Sequence, residues 1–371
     1  MKYLIILGRN IELSVKEVES YLIRINNPLL NYSINKNAIL IEVKEKLNNI
    51  IENLGGVIAI GEILSSGEIE EITNDLSGKE LYSGQKNKFN YVLWNYSKEK
   101  IDEISIYLKQ KFRFEKLKAI EKKLTGKVKL QNGEIVDNLV SNLIEEEYFL
   151  FSKDDENYFG KITQKCNYEE LEKRDMNKPV RRESLSISPR LAKILINLSL
   201  IKKGETLVDP FCGIGVILQE SLIQNLKVIG IDKDREAIKG ANQNLSWAKF
   251  NKENYRLISN DSSSVNIDKA NAIATEPDLG DILKKIPTKE KAQEIQEGFE
   301  NLMIKVINNL KNKISGRIVF TAPDIRIGKK RISCNIERIL ERTKLKLVEG
   351  FPIKEFRQGQ IVGREIFVLE R

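Results

Sequence analysis

Past residue 187, short apolar runs alternate with longer stretches whose apolar residues recur at helical spacing. The runs Thr206–Val208, Lys227–Ile231, Tyr255–Ser259, Ala272–Thr275 and Arg317–Thr321 predict strands. Pro189–Leu200, Val216–Ile223, Glu236–Trp247 and Lys289–Asn312 predict the helices around them. That alternation is the rhythm of a doubly wound α/β sheet. Two further strands, Lys346–Gly350 and Glu365–Glu370, flank the turn-rich Glu355–Arg364, so the sheet is expected to end in an antiparallel hairpin. Ser188-Pro189 supplies an N-cap with proline at the first helical position.

The earlier part of the chain has a different order. Strands are predicted near Tyr3–Leu7, Ile39–Val43, Val57–Leu64 and Asn90–Tyr96, with helices at Val15–Ile25, Lys46–Leu54 and Asp102–Phe112. This predicts a separate α+β region, residues 1–164. Lys165–Ser186 is polar and charged and is expected to be the linker to the α/β domain, residues 187–371. The sequence has no internal repeat and no low-complexity tract.

With 371 residues the chain can build two sizeable cores. No apolar run approaches the roughly 18–20 residues that cross a bilayer, so no membrane partner is expected. The apolar start, Met1–Leu7, meets Gly8-Arg9-Asn10 too soon for a signal peptide. A first strand in a cytoplasmic protein is the expectation. Cys166, Cys212 and Cys334 are widely spaced and odd in number, which indicates neither a disulfide framework nor a zinc cluster; no metal is expected. The chain has no histidine, which excludes histidine triads, histidine metal ligands and an imidazole shuttle. Its chemistry must use carboxylates, carbonyls, amides, lysines or hydroxyls. A net charge of +8 is compatible with a nucleic-acid partner but does not require one.

Chemistry concentrates at Leu207-Val208-Asp209-Pro210-Phe211-Cys212-Gly213-Ile214-Gly215, an apolar strand ending in an acid, a glycine turn and the start of a helix. An α/β sheet binds nucleotide-like ligands at this carboxyl edge. Gly213 and Gly215 permit positive φ and let backbone amides approach a ligand with no Cβ in the way. The stretch lacks the spacing and lysine of a phosphate loop. An aspartate before the turn suits an ammonium group better than a pyrophosphate, and S-adenosylmethionine carries such a group. Three more predicted strand ends carry acceptors. Asp232, followed by Lys233, could take both hydroxyls of a ribose; Asn260-Asp261 could take an adenine amino group; Glu276-Pro277 ends the fourth strand. Each acid could instead be a helix N-cap, and an acid after the second strand also occurs in dinucleotide-binding folds. Four acids at four strand ends favour one shared ligand.

Asp209-Pro210-Phe211-Cys212-Gly213-x-Gly215 resembles the first motif of class I S-adenosylmethionine methyltransferases that modify exocyclic amino groups. Asn271-Ala272-Ile273-Ala274-Thr275-Glu276-Pro277-Asp278-Leu279-Gly280 is similar to that group's acceptor motif, normally Asp/Asn-Pro-Pro-aromatic. With Tyr3–Ser14, Leu54-Gly55-Gly56-Val57, Lys173-Arg174-Asp175 and Pro179-Val180-Arg181-Arg182, the chain resembles the tRNA guanosine-10 N2-methyltransferase family. The resemblance spans nearly the whole chain, strongest over Lys173–Gly240 and weakest over Ser65–Asn90.

It implies a THUMP-containing α+β RNA-binding region followed by a Rossmann-like class I methyltransferase domain, with S-adenosylmethionine as cofactor and tRNA as partner. DNA is not expected as a partner, because a DNA enzyme would need a target-recognition domain. A small zinc-binding activator subunit, needed by some relatives, is compatible with the sequence. By the same resemblance Asp209, Pro210, Phe211, Cys212, Gly213 and Gly215 surround the methionine end of the cofactor. Asp232 meets the ribose and Asp261 the adenine, with Lys233 also beside the cofactor, while Glu276 and the Pro277 carbonyl hold the acceptor amine.

An exocyclic guanine amine is a poor nucleophile because its lone pair is delocalised into the ring. A carboxylate and a carbonyl that accept its two N–H bonds can aim that lone pair at the sulfonium methyl. Three residues depart from the family pattern: Glu276 stands for Asp, Asp278 for the second proline, and Leu279 for the aromatic that stacks on the base. A register moved by one residue would put Thr275 at the acceptor position; the ungapped register keeps a carboxylate, Pro277 and Gly280 in place. The alternative is a degenerate site that binds cofactor or RNA without turnover, or the same chemistry on another tRNA or rRNA guanosine. Phe211 or Tyr168 could replace the missing platform.

For RNA, Lys109, Lys111, Arg113, Lys116, Lys118, Lys122, Lys123, Lys127 and Lys129 outnumber the acids in one segment, with Phe112 and Phe114 among them. Such a segment could follow RNA phosphates, Lys116, Lys118, Lys122 and Lys123 foremost, or could be a solvated lysine-rich face. Lys329-Lys330-Arg331 is expected in a loop, facing solvent or RNA.

Overall fold

The computed structural model describes residues 1–97, 101–124, 126–131, 133–138, 143–154, 156–182, 187–277, 283, 285–357 and 359–371. The chain divides into two compact units. One comprises Met1–Ser14, Asn27–Glu52 and Gly56–Cys166; the other comprises Val15–Asn26, Asn53–Gly55 and Asn167–Arg371. Most of the first helix is therefore counted with the C-terminal unit.

The first part of the chain runs β1 (Lys2–Leu7), α1 (Ile11–Arg24), β2 (Asn31–Asn35), β3 (Ala38–Glu42), β4 (Val57–Gly67), α2 (Ile69–Ser77), β5 (Lys88–Tyr96), α3 (Ile101–Phe114), β6 (Lys118–Glu121), β7 (Gly126–Lys129), β8 (Ile135–Asn138), β9 (Glu146–Lys153) and β10 (Glu156–Lys165). Eight strands form one sheet in the order β2-β3-β1-β4-β10-β9-β5-β6, and β7 and β8 pair by themselves. Both faces of β5 are buried. Phe89, Tyr91 and Leu93 pack with α2 and α3 residues, while Val92, Trp94 and Tyr96 pack with Leu4, Ile6 and Phe149. The helix expected over Lys46–Leu54 is only a 3₁₀ turn at Ile50–Asn53. Asn49 has φ +48°, a left-handed conformation that an α-helix cannot carry.

The C-terminal part begins with α4 (Tyr168–Met176), inside the expected linker. Asn167 caps it by accepting the Glu170 N–H at 3.0 Å. Its only buried residue is Leu171, so its sequence carried almost no apolar period. Then follow α5 (Pro189–Leu198), β11 (Thr206–Asp209), α6 (Val216–Ile223), β12 (Lys227–Asp232), α7 (Arg235–Trp247), β13 (Tyr255–Ser259), β14 (Ala272–Thr275), α8 (Lys289–Leu310), β15 (Ile318–Ile327), β16 (Lys330–Ile332), α9 (Ile336–Thr343), β17 (Lys346–Leu347), β18 (Ile353–Glu355) and β19 (Val362–Glu370). Ser188 caps α5 through the Leu191 N–H at 3.2 Å, with proline at its start as expected.

The second sheet has the order β13-β12-β11-β14-β15-β19-β17. Its first five strands are parallel, and β19 runs antiparallel to β15 and β17. Strand order reverses beside β11, the switch point where such sheets bind ligands. The run expected at Lys346–Gly350 is a strand only over Lys346–Leu347, because Gly350 turns the chain at φ +84° into β18. β18 pairs antiparallel with β19, which lies inside the sheet between β15 and β17. β15 extends to Ile327, beyond the expected Thr321, because β19 and β16 pair with its second half. On one face Phe299, Met303, Val306, Ile307 and Leu310 of α8 pack on Ile273, Ile318, Phe320 and Phe367. Among the described residues no helix is long and apolar enough to cross a membrane.

Candidate active site

β11 carries Asp209 to the carboxyl edge of the parallel strands, and the chain then turns tightly into α6. Gly213 and Gly215 adopt φ of +51° and +87°. A Cβ on Gly215 would also meet that of Ala241 at 3.3 Å, whereas one on Gly213 would face open space. The loop is closed by its own amides: Gly213 N–H donates to Asp232 Oδ2 at 2.9 Å and Gly215 N–H to the Cys212 carbonyl at 2.8 Å. The glycine amides are therefore engaged within the loop, contrary to the expectation that they would approach a ligand. What they offer is bare backbone.

Asp209 is fully buried and accepts the Thr275 hydroxyl at 2.6 Å and the Phe211 N–H at 3.2 Å, both on Oδ1. Its other oxygen has no hydrogen bond among the described residues. Burial pushes its carboxyl up to about 7; Asp232 and Glu276 push in the same direction, and the two hydrogen bonds oppose. A buried carboxylate with an unused oxygen beside open glycine backbone fits a small cationic group. The Pro210 carbonyl is taken by Ser262 Oγ at 2.5 Å. Cys212 turns its thiol into the core beside Gly230, and burial pushes that thiol well up, so its side chain faces away from a ligand.

Asp232 ends β12 with both oxygens engaged, Oδ2 by Gly213 and Oδ1 by the Asp234 N–H at 2.9 Å. Each oxygen keeps a further lone pair. Lys233 is exposed beside it. The N-cap role falls to Asp234, which caps α7 and pairs with Arg182 Nη2 at 2.7 Å. Asp261 is exposed, and its Oδ1 closes a local turn on the Ser263 N–H at 2.8 Å. That hydrogen bond holds its carboxyl below the usual range.

Glu276 directly follows β14 and is ion-paired with Nε of Arg364 on β19. Pro277 is buried next to it. Asp278, Leu279 and Gly280 lie outside the described residues. Phe211 is half-buried against the sheet core, and Tyr168 sits on α4 under Arg190, 5.6 Å from its ring centroid.

A family model described as an RMKL-like methyltransferase domain matches residues 179–332. Over 120 residues the chain is 36% identical to a Methanothermococcus thermolithotrophicus protein named a probable tRNA (guanine(10)-N2)-dimethyltransferase, a match that takes in 30% of this chain and 70% of that one. The chain belongs to the tRNA (guanine(10)-N2)-methyltransferase family. A tRNA (guanine(10)-N2)-dimethyltransferase of Methanocaldococcus jannaschii is 27% identical over 302 residues, 74% of this chain and 78% of that one. With the protein of that name from Methanothermobacter thermautotrophicus, the 33% identical match spans 31% of this chain and only 33% of the relative. A model described as a DNA methylase matches residues 82–243 and crosses the division between the two units. The solved structure of TrmN from Thermus thermophilus superposes with a TM-score of 0.56 at 13% identity, covering 100% of both chains, which shows a shared class I methyltransferase fold.

Family motifs outside the loop have structural reasons in the C-terminal unit. A Cβ on Gly55 would sit 1.9 Å from the Arg190 carbonyl, so only glycine fits there. Arg174 pairs with buried Glu220 of α6 at 3.2 Å. The Asn244 amide of α7 donates to the carbonyls of Val180 and Ile214, at 3.1 and 3.0 Å, and so ties the Pro179–Arg182 segment to the glycine loop. Asn244, Ser262 and Arg364 also belong to this edge, beyond the residues expected from sequence. Thr275 carried a signal, being the one polar residue in the apolar run Ala272–Thr275. Arg364 carried none, because its partner is far away in sequence.

The basic segment of the N-terminal unit is only partly available. Phe112 is fully buried in ring contact with Phe89, Tyr91 and Tyr148, so it is core. Lys111 is buried and pairs with Glu115 at 2.7 Å; Lys109 pairs with Glu121 at 2.8 Å and Lys127 with Asp137. Lys116, Lys118, Lys122 and Lys123 are exposed and form no ion pair among the described residues. Phe114 is 89% exposed. In the C-terminal unit Lys330 and Arg331 belong to β16 rather than a loop. Arg331 is locked to buried Asp324 at 2.5 Å and stacked 4.6 Å from the Phe356 ring centroid, so it faces neither solvent nor RNA.

Proposed function

We propose that this chain transfers a methyl group from S-adenosylmethionine to the exocyclic N2 amine of a tRNA guanosine, with position 10 as the target. The observation that carries the reading is the junction of Asp209 and Thr275, which joins the glycine loop to the strand that ends in Glu276-Pro277. A cofactor loop and an acceptor carboxylate thus share one edge. Bound S-adenosylmethionine supplies an activated methyl on a cationic sulfonium, so the chain needs no strong base.

Asp209 accepts the cofactor ammonium on its unused oxygen, with Pro210, Phe211, Cys212, Gly213 and Gly215 forming the wall of that end through backbone. Asp232 meets the ribose and Asp261 the adenine, with Lys233 beside the cofactor. Glu276 and the Pro277 carbonyl accept the two N–H bonds of the amine and aim its lone pair, and such positioning supplies several kcal/mol of barrier lowering. The base must leave its stack, at a cost of roughly a few kcal/mol met by tRNA contacts elsewhere. Those contacts we assign to a THUMP-like N-terminal region, with Lys116, Lys118, Lys122 and Lys123 along phosphates and exposed Phe114 beside them. The setting is the cytoplasm, where tRNA is processed. A small activator subunit is tested by adding one.

The test incubates the chain with labelled S-adenosylmethionine and unmodified tRNA transcripts. Mass spectrometry of the digested RNA is expected to find N2-methylguanosine or its dimethyl form at position 10. Cofactor binding without label in any RNA overturns the reading, and label at another guanosine overturns the assigned position.

A further inference from the structure

We propose that Arg364 is the positioning residue that makes a glutamate work where the family's acceptor motif normally has aspartate. The proposal rests on the amine-methylating reading above. At the level of Thr275, β15 contributes Phe320 and β19 contributes Phe367. Arg364 lies three residues farther along β19, opposite Pro323, beyond the carboxyl end of β14. At about 3.4 Å per residue that is roughly 10 Å of overhang. Only a long side chain can return from there to the end of β14, and Glu276 reaches one methylene farther to meet it. The extension of β15 and β19 thus gives Arg364 its perch.

The hydrogen bonding is divided in a useful way. Arg364 Nε donates to Glu276 Oε1, while Glu276 Oε2 has no partner among the described residues. One oxygen is fixed and the other is left to accept an amine N–H. The side chains are 9% and 25% exposed, so the pair is largely removed from solvent screening. The charge balance agrees. Asp209, Asp232 and Glu276 are close enough for the last two to raise the first, and Arg364 is the cation paired with this group. Without it, a glutamate with three rotatable bonds would be repelled from its neighbours and lose its aim. A misplacement of about 1 Å can cost about 100-fold in rate.

The test compares wild type, R364M, R364K, R364A, E276Q and R364M/E276Q by kcat and KM for tRNA, and by calorimetric affinity for S-adenosylhomocysteine. R364M should lower kcat by about 100-fold, with KM and S-adenosylhomocysteine affinity within about twofold of wild type. R364K should recover only part of the rate, because an ammonium lacks the planar fork. The double variant should be no slower than E276Q, since both changes remove one unit. Guanidinium added to R364A should restore activity. An active wild type with R364M at full kcat overturns the role of Arg364 alone. So does a parallel loss of S-adenosylhomocysteine affinity, which marks a purely structural residue. An inactive wild type overturns the parent activity and this role with it.

Discussion

Replacing Asp209 with Asn should make the cofactor-free protein more stable in alkaline solution while removing its hold on the ammonium. In the folded chain burial pushes the Asp209 carboxyl from 3.8 up to about 7. A carboxyl raised on folding contributes stability that is complete below its unfolded pKa and is lost as pH rises through the folded value. A rise of roughly three units at about 1.4 kcal/mol each sets a ceiling of about 4 kcal/mol on that loss by about pH 8. Asn never ionises and escapes it. The variant keeps an oxygen for the Thr275 hydroxyl and the Phe211 N–H. It also places amide hydrogens where the second Asp209 oxygen has no partner among the described residues, which costs about 1–3 kcal/mol. The net expectation is a gain of about 1–3 kcal/mol at about pH 8 that vanishes or reverses by about pH 4. Urea unfolding of the full chain reads it by Trp247 fluorescence in a W94F background, because Trp94 belongs to the other unit. An equal destabilisation at both pH values would refute the claim that Asp209 carries its charge at a cost.

The same carboxyl predicts that S-adenosylhomocysteine affinity rises with pH through about 7 and levels off above it, weakening by up to about tenfold per unit below; calorimetry across that range giving a flat profile would remove Asp209 from the ammonium site. G215A should cost about 1–2 kcal/mol for the left-handed backbone, and more from crowding Ala241, with cofactor affinity falling alongside; a thermal melt unchanged from wild type would contradict this. Changing Lys122 and Lys123 to Gln should weaken tRNA binding and lower the slope of log affinity against log salt by about one per lysine, while S-adenosylhomocysteine binding stays the same. An unaltered slope would place the RNA elsewhere.

How much was legible follows from the range of each interaction. The strands Tyr255–Ser259 and Ala272–Thr275 and the helix Val216–Ile223 stand where the sequence put them, since apolar run length and flanking turns are local properties. α4 lies within the expected linker because a helix that buries only Leu171 writes almost no period. Phe112 and Lys111 looked like RNA-facing residues in composition, but in α3 they occupy the inward side, and burial on a helix is decided by what packs on it.

By itself the sequence determined the order of the parallel strands β11–β15 and of the helices α5–α8 among them, the absence of histidine chemistry, and a glycine loop after Asp209 flanked by acids at successive strand ends. These need only local spacing and residue type. Tertiary structure decided how those acids are used. It engaged Asp232 with the Gly213 amide, bonded Thr275 to Asp209, turned the Cys212 thiol inward, and brought Arg364 across 88 residues of sequence to Glu276. The reason is that a carboxylate's role depends on which of its oxygens are already taken and on how far it is removed from water. Both are set by neighbours that only the folded sheet brings together.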